Sequence, residues 1–200
     1  MKSPPTPATR QSMPRLLLIR HTAITTPALL AGRTDLPATL PGPDSIARAQ
    51  ARLAALAPDA ALISSPLQRC TQTAGALFPG RAPQLEPRLQ EQDFGAWDGQ
   101  PLAALPDLGP LPRAALAAHC PPGGESFLEL AARARPALLA LTQDTLIFTH
   151  AGIIRAALGL ALGDIPQGLA FAIAPFSLTV LEALPGGNFA ITCTNLDLAS

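Results

Sequence analysis

Three short apolar runs, each stopped abruptly by polar residues, set the frame of this chain. Leu16-Leu17-Leu18-Ile19 ends at Arg20-His21-Thr22, Ala60-Ala61-Leu62-Ile63 at Ser64-Ser65-Pro66, and Thr145-Leu146-Ile147-Phe148 at Thr149-His150-Ala151-Gly152. Such runs predict buried strands that open into loops. Between them the spacing turns helical. Over residues 45–56, Ile46, Ala49, Leu53 and Leu56 share one face with Arg48 and Arg52 opposite, Asp44 as the expected N-cap and Pro58 as the stop. Further helices are predicted over 71–78, 113–119, 126–141 and 153–162. The third opens with a Ser126–Glu129 capping box and contains Pro136, which is expected to kink it. Gln84-Leu85-Glu86 reads as a short edge strand. Residues 176–184 and 189–196 flank Pro185-Gly186-Gly187-Asn188, a hairpin signal. The alternation predicts an α/β fold: a three-layer α/β/α sandwich, its mostly parallel sheet finished by an antiparallel edge strand.

Composition narrows the class. Of 200 residues, 48% are hydrophobic and 14% charged, against the roughly 25% charged that is usual for soluble domains. A chain this apolar is not intrinsically disordered. Its 14 basic and 14 acidic residues cancel, and it has seven Phe, one Trp and no Tyr. No basic footprint or stacking platform for nucleic acid results, and no charge pattern for an anionic membrane. No apolar stretch is long enough to span a bilayer. Cys70, Cys120 and Cys193 are odd in number and widely spaced, which argues against a disulfide framework or a cysteine zinc site. Residues 1–14 carry four Pro and no apolar core of a signal peptide, and are predicted to be a disordered tail. Met13 is an alternative start. A single domain over 15–200, in the cytoplasm, is expected.

The candidate chemistry lies where the strands end. Ligands of open α/β sheets bind outside the carboxyl ends of the strands, and there this chain places Arg20, His21, Ser64, Ser65, Thr149 and His150, with Arg69 close behind. Arginine forks suit a phosphoryl group. The helix expected after His150-Ala151-Gly152 would add backbone N–H groups and a favourable dipole. The sequence contains no GxxxxGK[ST] loop, no HExxH and no paired-aspartate motif. A protein nucleophile is then required, and histidine can serve.

These residues resemble the signatures of the histidine phosphatase superfamily, also called phosphoglycerate mutase-like. Arg20-His21-Thr22 is similar to its RHG, 32–37 (GRTDLP) to GxxDxPL, and 64–74 (SSPLQRCTQTA) to SSPLxRAxQTA. Residues 89–99 (LQEQDFGAWDG) resemble LxExDFGxWEG, and Pro122-Gly123-Gly124-Glu125-Ser126 and 149–155 complete the set in the family's order. The resemblance covers about 16–181. It implies the phosphoglycerate mutase-like fold, His21 as the nucleophile that becomes phosphorylated, and Arg20, Arg69 and a protonated His150 around the phosphate. It also implies Glu91 as general acid, protonated when substrate arrives, with an acidic-to-neutral optimum. Ala151, Thr22 and Arg33 are the further expected phosphate contacts. No cofactor and no metal are implied.

Two positions depart from the pattern. Thr22 replaces the glycine of RHG, and Pro27 replaces the asparagine that often contacts phosphate; Arg33 is a candidate substitute. Other residues have plainer readings: Phe94 and Trp97 as packing for the Glu91 loop, Arg155 as an ion-pair partner, Ser64 and Ser65 as backbone binders, and His119 without a role. Glu125 either approaches the site or serves the helix that follows.

The short span from Glu91 to Gly124 favours the compact phosphatase branch over the mutases. Within that branch the motifs resemble α-ribazole phosphatases of cobalamin biosynthesis. The expected function is hydrolysis of a small phosphomonoester by a metal-independent phosphatase, as monomer or homodimer. The alternatives are a broad-specificity phosphatase, a phosphoglycerate mutase-like enzyme, a metal-dependent hydrolase using the histidines as ligands, and a non-catalytic phosphate-binding regulator. The lid, 101–122, offers few polar groups, which suits a partly apolar alcohol.

Overall fold

The computed structural model describes residues 13–200. Strands β1 (Arg15–Arg20), β2 (Ala61–Ser64), β3 (Gln84–Leu85), β4 (Thr145–Thr149), β5 (Ser177–Leu184) and β6 (Asn188–Asp197) form one sheet in the order β3-β2-β4-β1-β5-β6. The pairs β3–β2, β2–β4 and β4–β1 are parallel, whereas β5 runs antiparallel to both β1 and β6. The predicted hairpin thus closes one side of the sheet. Its antiparallel strand lies one position in, with β6 at the edge.

Alternate side chains of each inner strand enter opposite cores, as strand geometry demands. Leu17, Ile19, Leu62, Leu146 and Phe148 pack against Ala49 and Leu53 of α1 (Pro43–Leu56) and Cys70, Ala74 and Leu77 of α2 (Gln68–Leu77). Leu16, Leu18, Ile63 and Ile147 face α3 (Arg113–Ala118), α4 (Phe127–Leu139) and α5 (Ala151–Ala161) through Ala117, Leu130, Leu138, Ile153 and Ile154. This is the α/β/α sandwich that the apolar runs imply. All four apolar residues of β1 are fully buried, each stabilising the fold by roughly 1.5–3 kcal/mol. A slip of one residue would invert both faces, so the register is strongly specified.

Several local expectations shift. Gly42, not Asp44, is the N-cap of α1; Pro43 starts the helix and Asp44 sits in its first turn, where a carboxylate suits the dipole. The capping box of α4 forms in both directions, and Pro136 lies within that helix. Helix α2 begins at Gln68 rather than Thr71, because Arg69 and Cys70 are buried in its first turn; a buried arginine breaks the apolar periodicity that marks a helix. Residues 1–12 of the predicted tail, and hence most of that expectation, lie outside the described residues. Pro14 already accepts a bond from the Ala183 N–H (2.8 Å). Among the described residues no helix is long and apolar enough to cross a membrane.

Candidate active site

Strand pairing continues past the ends of β1 and β2 and brings the polar residues together. The His21 N–H donates to the Thr149 carbonyl (3.0 Å) and the Ser65 N–H to the Phe148 carbonyl (2.9 Å), so His21, Ser65 and His150 emerge side by side. The rings of His21 and His150 meet edge to face, centroids 5.2 Å apart.

Hydrogen-bond partners assign both tautomers. His21 Nδ1 lies 2.6 Å from the Thr22 carbonyl oxygen, which can only accept. The proton therefore sits on Nδ1 and the Nε2 lone pair is left free. Burial first, then the charge of Arg69 and to a lesser degree Arg20, pushes the His21 pKa down to about 3, although the Thr22 carbonyl pulls the other way. A neutral imidazole with a free Nε2 is a competent nucleophile at neutral pH.

His150 is arranged the opposite way. Its Nδ1 accepts from Arg69 Nε (3.2 Å), and its Nε2 lies 2.8 Å from Ser65 Oγ. Guanidinium N–H groups can only donate, so His150 carries its proton on Nε2 and donates to the serine. Complete burial, then the positive charge of Arg69 and, more weakly, those of Arg20 and Arg33, hold its pKa well below the ordinary imidazole value. The expected protonated His150 is therefore corrected: a second proton would sit on Nδ1, facing a permanent cation. Cys70 Sγ backs the same ring at 3.4 Å from Nε2, and burial pushes that thiol's pKa up, away from thiolate.

Two arginines adjoin these histidines, and neither has a carboxylate partner among the described residues. Arg69 is fully buried, and beyond His150 it donates to the carbonyls of Thr34 (2.9 Å) and Gly32 (2.6 Å), tying the 32–37 loop to the site. Arg20 Nη1 donates to the Ile173 carbonyl (2.5 Å), while its Nε is buried with no partner. That carbonyl is presented by a turn anchored at Phe176, whose φ of 56° is strained for a bulky residue and whose N–H reaches back to the Arg20 and His21 carbonyls. Neither arginine forms a salt bridge among the described residues. Burial lowers the pKa of both, yet a guanidinium stays charged across the working range. Uncompensated buried cations are costly. An anion bound here would relieve that cost.

Glu91 closes the opposite wall. Its carboxylate accepts from the N–H groups of Gln92 (2.9 Å) and Gly152 (3.2 Å), the latter in the first turn of α5. A side chain at Gly152 would collide with the Glu91 carboxylate and displace it from this position. Gly95, at φ 52° and hard against the Pro122 carbonyl and Gly124, likewise lets the 89–99 and 122–126 loops interlock. A cavity of about 290 Å³ opens over His21, with Arg20, His21, Pro27, Leu30, Glu91 and Phe94 in its wall.

The remaining expected contacts lie elsewhere. Thr73 Oγ1 donates to the Arg69 carbonyl (2.7 Å) and accepts from the Thr22 N–H (3.1 Å), so the Thr22 hydroxyl at 3.4 Å donates to it and turns away from the cavity. Thr22 is thus not a hydroxyl donor to phosphate in this geometry. Arg33 is bound by Gln90 Oε1 and lies 3.6 Å from Glu125; it does not line the cavity. Ala151 starts α5 and borders a small neighbouring space of about 80 Å³ with Glu91, Gly152 and Arg155.

Some contributors carry no signal in the sequence. Ser64 does bond backbone, but Ser65 holds His150. Glu125 grips Arg133, which donates to three carbonyls around Glu91. Arg155 forms no ion pair among the described residues; its Nε donates to the Phe171 carbonyl (2.9 Å). Trp97 stacks on His119 with centroids 5.4 Å apart, and both line a further cavity of about 310 Å³ with Gln92, Leu105, Leu116 and Arg155. Leu30 and Phe94 border this cavity and the one over His21. No spacing rule marks the contacts of Ser65 with His150 or of Arg133 with the carbonyls around Glu91, because each joins residues more than 40 positions apart. Among the described residues no group of three His, Cys, Asp or Glu is arranged to hold a metal ion.

Comparison with known proteins agrees with this geometry. The solved structure of mycobacterial glucosyl-3-phosphoglycerate phosphatase Rv2419c superposes with a TM-score of 0.77, covering 92% of this chain and 99% of that one at 23% identity, a likeness of fold. TTHB049 from Thermus thermophilus is 31% identical, with a TM-score of 0.65 over 88% of this chain and 97% of that one. The bifunctional protein Rv2228c of Mycobacterium tuberculosis is 31% identical over an alignment 207 positions long that covers 99% of this chain and 52% of that protein. The chain therefore spans about half the length of the curated relatives it matches. The family model described as histidine phosphatase superfamily (branch 1) matches residues 16–196, nearly the whole described chain, and the chain belongs to that family.

Proposed function

We propose that this domain hydrolyses a small phosphomonoester, without a metal, through a phosphohistidine at His21. It is a phosphoric monoester hydrolase by family and by the chemistry of its site. The observation that carries the reading is a neutral His21, its Nε2 free, beside a buried Arg69 and a half-buried Arg20 that lack carboxylate partners among the described residues. The substrate phosphoryl group lies between Arg20 and Arg69, which offset the charge on its equatorial oxygens. Nε2 attacks phosphorus, the N–P bond forms, and the ester P–O bond breaks. Glu91 gives its proton to the leaving oxygen. Its carboxylate then takes a proton from water as the water oxygen bonds to phosphorus and the N–P bond breaks, which returns His21 and protonated Glu91. His150 stays neutral and acts with Ser65 to fix the Arg69 fork.

For the substrate, α-ribazole 5′-phosphate remains our reading. The larger cavity supports it: apolar lid residues and the face of Trp97 suit a flat heteroaromatic body better than a polyhydroxylated one, whose buried hydroxyls would lack partners. One observation favours a second reading. The Arg155 guanidinium, free of any carboxylate among the described residues, would suit a leaving alcohol that carries its own acid group.

The test combines trapping with turnover in EDTA. Wild type should hydrolyse an aryl phosphate and, after an alkaline quench, retain labelled phosphate that acid releases; His21→Ala should do neither. Equal rates in the two proteins, or loss of activity to EDTA alone, would overturn the reading and favour the phosphate-binding or metal-dependent alternatives. Comparing kcat/KM for α-ribazole 5′-phosphate, a sugar phosphate and a phosphoglycerate ester separates the substrate readings.

A further inference from the structure

Glu91 must present its carboxyl to a leaving oxygen, yet the backbone that carries it has little regular structure. Only Pro87–Leu89 forms a single 3-10 turn, and 90–94 belongs to no helix or strand. Carbonyls of such a segment need partners from elsewhere. One side chain supplies three of them. Arg133, on α4, donates to the carbonyls of Arg88 (2.6 Å), Gln90 (3.2 Å) and Glu91 itself (3.3 Å). The same guanidinium is clamped by both Glu125 oxygens, at 2.5 and 3.1 Å, and Glu125 also accepts the Asp93 N–H (3.1 Å). The pair is largely sheltered, with 21% and 16% of the two side chains exposed.

We propose that Arg133, braced by Glu125, is a positioning residue that sets where the Glu91 carboxyl sits relative to the leaving oxygen. Arg133 lines none of the three cavities around the site, so it acts through Glu91 rather than on substrate. Its base is firm: the capping box and the buried face of α4 fix the helix from which it reaches. A planar fork reaches all five acceptors, with Nη2 shared among the Gln90 and Glu91 carbonyls and one Glu125 oxygen; a lysine ammonium has three N–H groups on one atom and cannot span them. This role rests on the reading of Glu91 as general acid.

Leaving-group dependence tests it. Proton donation matters most when the leaving alcohol is a poor one, and a nitrophenolate departs with little help. kcat/KM is measured for a series of phosphate monoesters from nitrophenyl to alkyl, on wild type, Glu91→Gln, Arg133→Met, Arg133→Lys and the Arg133→Met/Glu91→Gln double variant. Arg133→Met is expected to lose about 10- to 100-fold on the alkyl ester and under about 3-fold on the nitrophenyl ester, a portion of the full acid–base contribution. Arg133→Lys should recover part of that loss, and the double variant should fall no lower than Glu91→Gln alone. Glu125→Gln should show the same slope more weakly, which keeps the test open if Arg133→Met does not fold. Equal losses across the series, or additive losses in the double variant, would overturn the proposal. A Glu91→Gln enzyme with no leaving-group dependence would instead overturn the general-acid reading itself.

Discussion

The two walls of the site are built in different ways. The floor, with His21, His150, Arg69 and Ser65, continues paired strands and the first turns of two helices, and every one of these side chains is buried. Residues 101–122, the expected lid, are stitched mostly to themselves. Between 104 and 119 the backbone bonds run within the segment, as from Leu105 to Leu102, Leu111 to Gly109 and Leu116 to Pro112. Leu102, Leu111 and Leu116 stay exposed. Chemistry common to a family needs reacting atoms held to a fraction of an ångström, and a sheet provides that. Choice of leaving group tolerates a looser frame, and loops are where such choice varies.

The largest effect should come from disturbing the floor. Arg69→Lys keeps a positive charge but loses the fork that spans His150, Thr34 and Gly32. Activity on any phosphomonoester is expected to fall by at least about 10²-fold, and stability by about 3 kcal/mol, through a buried cation left with unmatched carbonyls. Steady-state kinetics and urea unfolding would check both. A lysine variant of normal rate would show that charge alone suffices and that the floor is not geometrically tuned.

Acid should distinguish the walls next. In the folded chain His21 takes a proton only near pH 3, whereas in the unfolded chain it does so near the ordinary imidazole value of about 6.5. Stability from the neutral ring is complete above about pH 6.5 and is lost as pH falls toward 3, by on the order of 3 kcal/mol at pH 4. His150 shifts in the same direction and adds to the loss. Denaturant titrations at pH 7, 5.5 and 4 should show this slope, and His21→Gln should flatten it. An unchanged slope in the variant would mean that His21 titrates normally in the folded protein.

The smallest effect belongs to Trp97, which supports the lid through His119. Trp97→Ala removes the ring stacked on His119. It should change kcat/KM for a small aryl phosphate by less than about 3-fold, because catalysis on the floor persists, while lowering discrimination between large leaving groups by about 10-fold. A loss as large on the small ester as on the bulky one would show that lid and floor work as one unit.

Legibility in the sequence follows the same division. Buried strands declare themselves locally, because a run of Leu and Ile stopped by Arg-His or Ser-Ser needs no knowledge of the rest of the chain. The strand ends that carry His21, Ser65 and His150 are readable for that reason, the Ser126–Glu129 capping box is readable from its spacing, and Glu91 is readable only through the family resemblance of residues 89–99. Helix α2 reads short because Arg69, buried in its first turn, looks polar to any periodicity rule. Thr22 looks like a phosphate donor because its partner, the Thr73 hydroxyl, is 51 positions away. Arg133 carries no signal, since its value lies in three carbonyls that any sequence would possess.

Taken alone, the sequence determined which apolar strand residues would be buried, the order of strands and helices along the chain, and the residue types available for phosphoryl chemistry. Apolar runs and short motifs encode these locally. Tertiary structure decided the protonation of the site: which histidine keeps a free lone pair, which one is neutral because an arginine points at it, and which loop holds the acid. Such properties depend on desolvation and on charges roughly 3 to 6 Å away. Only folding creates those surroundings.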